Sequence, residues 1–172
     1  MEINIKSLIL IISILTTGLS AGLFYAFSVS VIPGLANVSH RTYLEAMQSI
    51  YRAILNWAFF ATFAGSIFLL MASAYMQFRI GVNLTFWLMF AACIFYVIGT
   101  IGVTAIGNVP MNEGLAALDL TAIGEDELKI TRLSYEGKWN QLHSIRTAFS
   151  LLAFLAILLA GILGDKLSSV LN

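Results

Sequence analysis

Four apolar stretches alternate with polar ones along the chain: Ser7 to Ile32, Ala53 to Phe78, Leu84 to Val109 and Ile145 to Leu163. Each is close to the roughly 20 apolar residues that a helix needs to cross the hydrocarbon core. Lipid offers no partners for exposed backbone N–H and C=O groups, so an apolar crossing must satisfy them internally, as a helix does. The pattern therefore predicts an all-α, four-helix transmembrane bundle. It forms a single multi-pass integral membrane domain over residues 1–172. The first stretch is longer than the apolar region of a cleaved signal peptide, and Phe24, Tyr25 and Phe27 follow its small residues; it reads as a retained helix.

The connections differ in kind. Gln77 to Asn83 is a tight loop. Asn37 to Leu55 has helical amphipathic spacing, with Tyr43, Met47, Ile50 and Ile54 on one face and Arg41, Glu45, Gln48 and Arg52 on the other. Ser39 is placed to cap it. This segment either lies at the interface or extends the second span. Glu113 to Lys138 holds most of the acids, with a short helix expected from Glu125 to Tyr135, bounded by Gly124 and Gly137. Four spans put both termini on one side. Lys and Arg near the span ends favour a cytoplasmic position for the long connections.

Composition sharpens this picture. The chain is 59% hydrophobic and 10% charged, against roughly 25% charged residues in a soluble domain. The lipid bilayer is the expected surrounding. A formal net charge of zero provides no basic surface for nucleic acid. The single cysteine, Cys93, excludes an intrachain disulfide and reads as a small buried hydrophobe. Small residues at Gly18 and Gly22, at Gly99, Gly102 and Gly107, and at Ala160, Gly161 and Gly164 allow close helix approach. They serve packing, make room for a flat ligand, or support a homo-oligomer. Ile32-Pro33-Gly34 and Val109-Pro110-Met111 end the first and third spans alike, consistent with a two-plus-two duplication or with chance.

Polar chemistry gathers at one end. Asn108 and Asn112 are four apart around Pro110, where a bend would free carbonyls. The two amides either satisfy those carbonyls or line a pocket. Trp139, His143 and Arg146 follow i, i+4, i+7 spacing and so share a helix face. A buried arginine in a span costs at least ~2.5 kcal/mol unless it snorkels or pairs. Arg146 thus either reaches the headgroups or turns inward, where Asn112, Glu113, Glu45, Tyr43 and Tyr51 are within conceivable reach. His40 and His143 lie in separate segments without metal-ligand spacing, and no nucleotide, redox-cysteine or hydrolase motif occurs. No metal or cofactor is expected.

Asn108-x-Pro110-x-Asn112, Trp139 and His143-x-x-Arg146-Thr147, with the four-span layout and the acidic connection, resemble anthrone-oxygenase-like membrane proteins. His143 and Leu142 depart from the family pattern, which often has Asn and Trp at those places. The resemblance implies an oxygenase-type fold and oxidation of an anthrone to an anthraquinone by molecular oxygen without an evident cofactor. It implies a small hydrophobic aromatic substrate, with His143 as the base and Arg146, together with Asn108 or Asn112, as the oxyanion holder. Asn108, Asn112, Trp139 and Tyr51 would bind the substrate. The rival reading is a non-enzymatic carrier or assembly partner. Charges are absent from the middles of all four spans, which disfavours a transporter.

Overall fold

A computed structural model describes the backbone of residues 4–170 and the side chains of residues 4–164. Five helices build it: α1 (Ile5–Ala36), α2 (His40–Ile54), α3 (Trp57–Phe78), α4 (Leu84–Ala116) and α5 (Glu125–Val170). There is no strand among the described residues. Helices α1, α3, α4 and α5 are long and apolar enough to cross a membrane. They form a ring in which α1 and α4 each touch both α3 and α5. The expected all-α bundle of four spans is therefore the fold.

The connections correct the sequence reading. No separate helix ends at Gly137, because α5 runs unbroken through it. A glycine inside a helix costs only about 1 kcal/mol against alanine, too little to stop one packed along its length. At 1.5 Å per residue, the 46 residues of α5 reach about 69 Å, twice the hydrocarbon thickness and more. Its first turns therefore stand clear of the spans and form a wall for α2. Helix α2 is a separate helix packed on α4 and α5, not an extension of α3. Leu55 breaks the helix, and the Asn56 side chain caps α3 by accepting from the Phe59 N–H at 3.0 Å.

Helix α2 forms a roof over one end of the bundle. Ser39 caps it as expected, accepting from the Thr42 N–H. Its Tyr43, Leu44 and Met47 pack with Leu115, Leu120, Leu128, Tyr135 and Trp139 into a second apolar core. Gln48, expected on the exposed face, is buried, and its amide donates to the Leu115 and Leu118 carbonyls at 2.8 and 3.0 Å. Arg41 donates to the carbonyls of Leu120 and Ile123. Arg132, 6% exposed, donates to the carbonyls of Leu35, Ala36 and Val38 and pairs with Glu136 at 2.7 Å. Orphan carbonyls at helix ends need partners; Arg132 and Gln48 supply them at the ends of α1 and α4, and Arg41 serves the connection before α5. Arg132 also lies over the Tyr43 ring. Burial, reinforced by the Glu136 charge and opposed by Arg132, pushes the Tyr43 phenol above its ordinary pKa, so it remains neutral.

Both prolines follow a widened helical turn. Residues Phe27–Val31 and Thr104–Asn108 are π-helical, and Pro33 and Pro110 each come two residues after such a stretch. Proline lacks an N–H and its ring clashes with the carbonyl four residues back. A register widened by one residue moves that carbonyl away. So α4 continues through Pro110 to Ala116 instead of ending at Val109. The shared pattern at the two prolines now has a common physical cause.

Most of the small residues serve packing. A Cβ on Gly99 would lie 2.0 Å from the Phe149 ring, and one on Gly18 would lie 2.9 Å from Phe154. Gly22 differs, since nothing lies within 4 Å of where its Cβ would be. Gly99→Ala is expected to lower stability by about 1–3 kcal/mol through overpacking, with Gly22→Ala close to neutral. Thermal unfolding of the two variants in detergent checks this. Equal melting temperatures would contradict the packing.

Candidate functional site

The site lies where the widened turns of α1 and α4 face the middle of α5. Tyr135, Trp139 and His143 fall at successive i+4 positions and stack into a column along α5. Trp139 and His143 are nearly parallel, with ring centroids 5.0 Å apart and planes 7° apart. Tyr135 stacks on the other side of Trp139. Phe27 of α1 lies against both Trp139 and His143.

Asn112 locks this column. Its Oδ1 accepts from the Tyr135 hydroxyl at 2.7 Å and from Trp139 Nε1 at 2.8 Å. Asn108 has a different position from the one expected. It is fully buried and its amide donates to the Trp139 carbonyl at 3.3 Å, but it stands behind the cleft wall, not on it. The helix from Asn108 through Asn112 is α-helical, and both amides face α5, bonding to the carbonyl and the indole of the same Trp139. The buried Asn108 Oδ1 has no partner among the described residues.

Both His143 ring nitrogens are engaged. Nδ1 faces the Arg146 guanidinium, with Nε at 3.1 Å and Nη2 at 2.9 Å. A guanidinium only donates, so Nδ1 is the acceptor and Nε2 carries the proton. That N–H meets the Phe24 carbonyl at 3.1 Å and the Ser28 hydroxyl at 3.0 Å. The imidazole is therefore neutral, fully buried and held in one tautomer.

Arg146 is 8% exposed and points inward, not out to headgroups. Besides His143 it reaches Thr104 Oγ1 at 3.4 Å. Its guanidinium lies over the Phe24 ring at 4.6 Å and the Trp139 ring at 5.2 Å. All these partners are neutral. Glu45 and Glu113 are exposed, and Tyr43 is taken up by Arg132. The ion pairs among the described residues are Arg41–Glu125 and Arg132–Glu136. Among the described residues, no carboxylate pairs with the buried Arg146 charge.

A cleft opens onto this cation. Its walls include Phe24, Phe27, Tyr51, Asn112, Trp139, His143 and Arg146, and none of its lining side chains is acidic. Tyr51 faces the site from α2. Five of the six residues expected at the site thus converge on one cavity, with Asn108 supporting it from behind. The sequence reading missed Phe24, Ser28, Thr104 and Tyr135. The i+4 spacing that joined Trp139 to His143 also points back to Tyr135; the Phe24 carbonyl has no sequence signal. Among the described residues no group of three His, Cys, Asp or Glu is arranged to hold a metal ion.

Fold and site together define an apolar four-span bundle enclosing an aromatic cleft lined by the Arg146 guanidinium. The sequence model of the anthrone oxygenase family matches residues 54–156, from the end of α2 into α5. The chain belongs to that family. No curated protein and no solved structure gives a significant match.

Asn112→Leu orphans the Tyr135 and Trp139 donors together, at about 1–3 kcal/mol for each buried group. Tyr135→Phe removes one donor and leaves the Trp139 bond intact. Thermal unfolding should show a larger loss for Asn112→Leu than for Tyr135→Phe. The reverse order would contradict the locking role.

Proposed function

We propose that this protein is a membrane-embedded oxygenase of small lipid-soluble aromatic ketones of the anthrone type, and that Arg146 holds the substrate as its enolate. The carrying observation is the inward Arg146 guanidinium, buried against neutral partners in an aromatic cleft. Burying an unbalanced charge costs several kcal/mol, and cation–π contact offsets about 2 kcal/mol of that. An anionic ligand oxygen completes the balance. Membership of the anthrone oxygenase family supports the same chemistry.

The steps balance as follows. The ring CH₂ beside the aromatic system loses a proton to water, and the resulting negative charge delocalises onto the ketone oxygen at Arg146. Such a charge is stabilised most by donors already in place. The electron-rich carbon then bonds to molecular oxygen and, with a proton, becomes a hydroperoxide. Loss of the remaining C–H proton and cleavage of the O–O bond release water and leave a second carbonyl. One dioxygen is consumed per quinone formed, with one oxygen atom kept and one leaving as water.

His143 takes a different part from that of a base. With Nδ1 held by Arg146 and Nε2–H on Phe24, it has no free lone pair for the substrate. It is a positioning residue that fixes the guanidinium through Nδ1. Trp139, Phe27 and Phe24 supply flat apolar surface, and Tyr51 and Asn112 line the approach to the cation.

Purified protein in lipid nanodiscs, given anthrone and oxygen, is expected to form anthraquinone with matching oxygen uptake above the spontaneous rate. Arg146→Met should reduce turnover by about 100-fold or more, the scale of losing an oxyanion donor. Anthraquinone formation unchanged in Arg146→Met would overturn the reading, and tight anthrone binding without turnover would favour a carrier.

For His143, Gln supplies an acceptor where Leu cannot. His143→Gln is expected to keep most of the turnover and His143→Leu to lose it. Equal loss in both would restore the general-base role.

A further inference from the structure

We infer that the cleft is filled sideways from the hydrocarbon layer, through an opening between α1 and the α2–α3 junction framed by Leu23, Leu55 and Phe59. The identity of the substrate rests on the function proposed above; the route rests on the geometry that follows.

The depth of the opening can be read from the register of α1 against α3. The two helices run antiparallel: Ser13 meets Ser73 at 2.9 Å, and Phe24 meets Phe63 ring to ring at 5.9 Å. Leu23 therefore sits near the level of Phe63. Trp57, 83% exposed at the start of α3, is placed as an interfacial belt residue. Phe63 is six residues beyond it, about 9 Å deeper at the helical rise. That level is inside the hydrocarbon, not in the headgroups.

The two most exposed cleft residues lie on this side. Leu23 is 41% exposed and Leu55 is 50% exposed, and both line the cleft. Leu23, open at this depth, faces lipid, and Leu55 stands open beside the belt level set by Trp57. The opposite side is closed by the roof, where Arg132, Gln48 and Arg41 are tied to seven backbone carbonyls. A route through the roof would break those bonds, many of them charged and worth about 1.5–3 kcal/mol each. The lateral side has apolar contacts to part, beside the two-residue break at Leu55 and Asn56.

The size of the cleft requires such parting. Its enclosed space is about 80 Å³, smaller than the ~150 Å³ cavity that admits benzene. A fused-ring aromatic fits only when the framing side chains move aside. An apolar aromatic concentrated in the bilayer then reaches Arg146 without crossing water.

The test uses Leu23→Cys with Leu55→Cys in a Cys93→Ser background, the full chain in phosphatidylcholine nanodiscs. A cleavable bifunctional thiol cross-linker staples the mouth. A matching staple across the roof joins Arg41→Cys to Glu125→Cys. Stapling the mouth should slow anthraquinone formation at least tenfold against the same variant unstapled, with recovery on cleavage, while stapling the roof leaves the rate within twofold of the unstapled Arg41→Cys, Glu125→Cys chain. Slowing by the roof staple alone would overturn the inference. If the chain forms no quinone, the same staples are read through uptake of an anthracene probe by energy transfer from Trp139, with the same outcomes deciding. Nitroxides at positions 23 and 55 should also collide more with oxygen than with a water-soluble nickel chelate. The opposite preference would place the mouth in water and sink the route.

Discussion

A guanidinium enclosed by neutral groups within an apolar bundle is the constraint around which this molecule is arranged. Arg146 has an imidazole, a hydroxyl and two aromatic faces for company. None of these cancels its charge. Each limits how far the cation can move, and together they hold its remaining donors toward the cleft. The tautomer of His143 follows from the cation, because only an unprotonated Nδ1 accepts from it. The Phe24 carbonyl then follows from the tautomer, since the Nε2–H needs a buried acceptor. The widened turn beginning at Phe27 sits beside that carbonyl, and the one ending at Asn108 begins at Thr104, the cation's other partner.

The roof turns this local arrangement into a closed site. The amphipathic helix over the end of the bundle is held by its own apolar core and by polar side chains that satisfy backbone carbonyls. Arg132 and Gln48 do this on opposite sides, fastening the ends of α1 and α4. The two helices that carry the prolines are thereby tied to the same cap. The fold thus separates a polar, firmly bonded end from an apolar flank that opens toward lipid. That asymmetry suits a ligand that travels in the membrane.

Much of this was legible in the residues. Long apolar stretches fix four helices, because the bilayer leaves the backbone no alternative. The spacing of Trp139, His143 and Arg146 placed them on one face, and a helix of any length keeps that relation. What was not legible depended on tertiary satisfaction. Gly137 reads as a stop, yet α5 passes through it because packing on both sides outweighs a cost of about 1 kcal/mol. Gln48 reads as solvated, yet it caps α4. Asn108 and Asn112 read as a matched pair, and both do reach Trp139, yet only Asn112 lines the cleft. Whether Arg146 turns out or in was undecidable from sequence, since both solve the same desolvation problem.

The central claim is that the buried cation is completed by an ionised ligand. Anaerobic mixing of the protein in nanodiscs with anthrone stops the chemistry before oxygen reacts, and the absorption of the bound species then reports its ionisation. The account expects the enolate spectrum with the native chain and its loss in Arg146→Met. Neutral ketone bound alike by both proteins would contradict it.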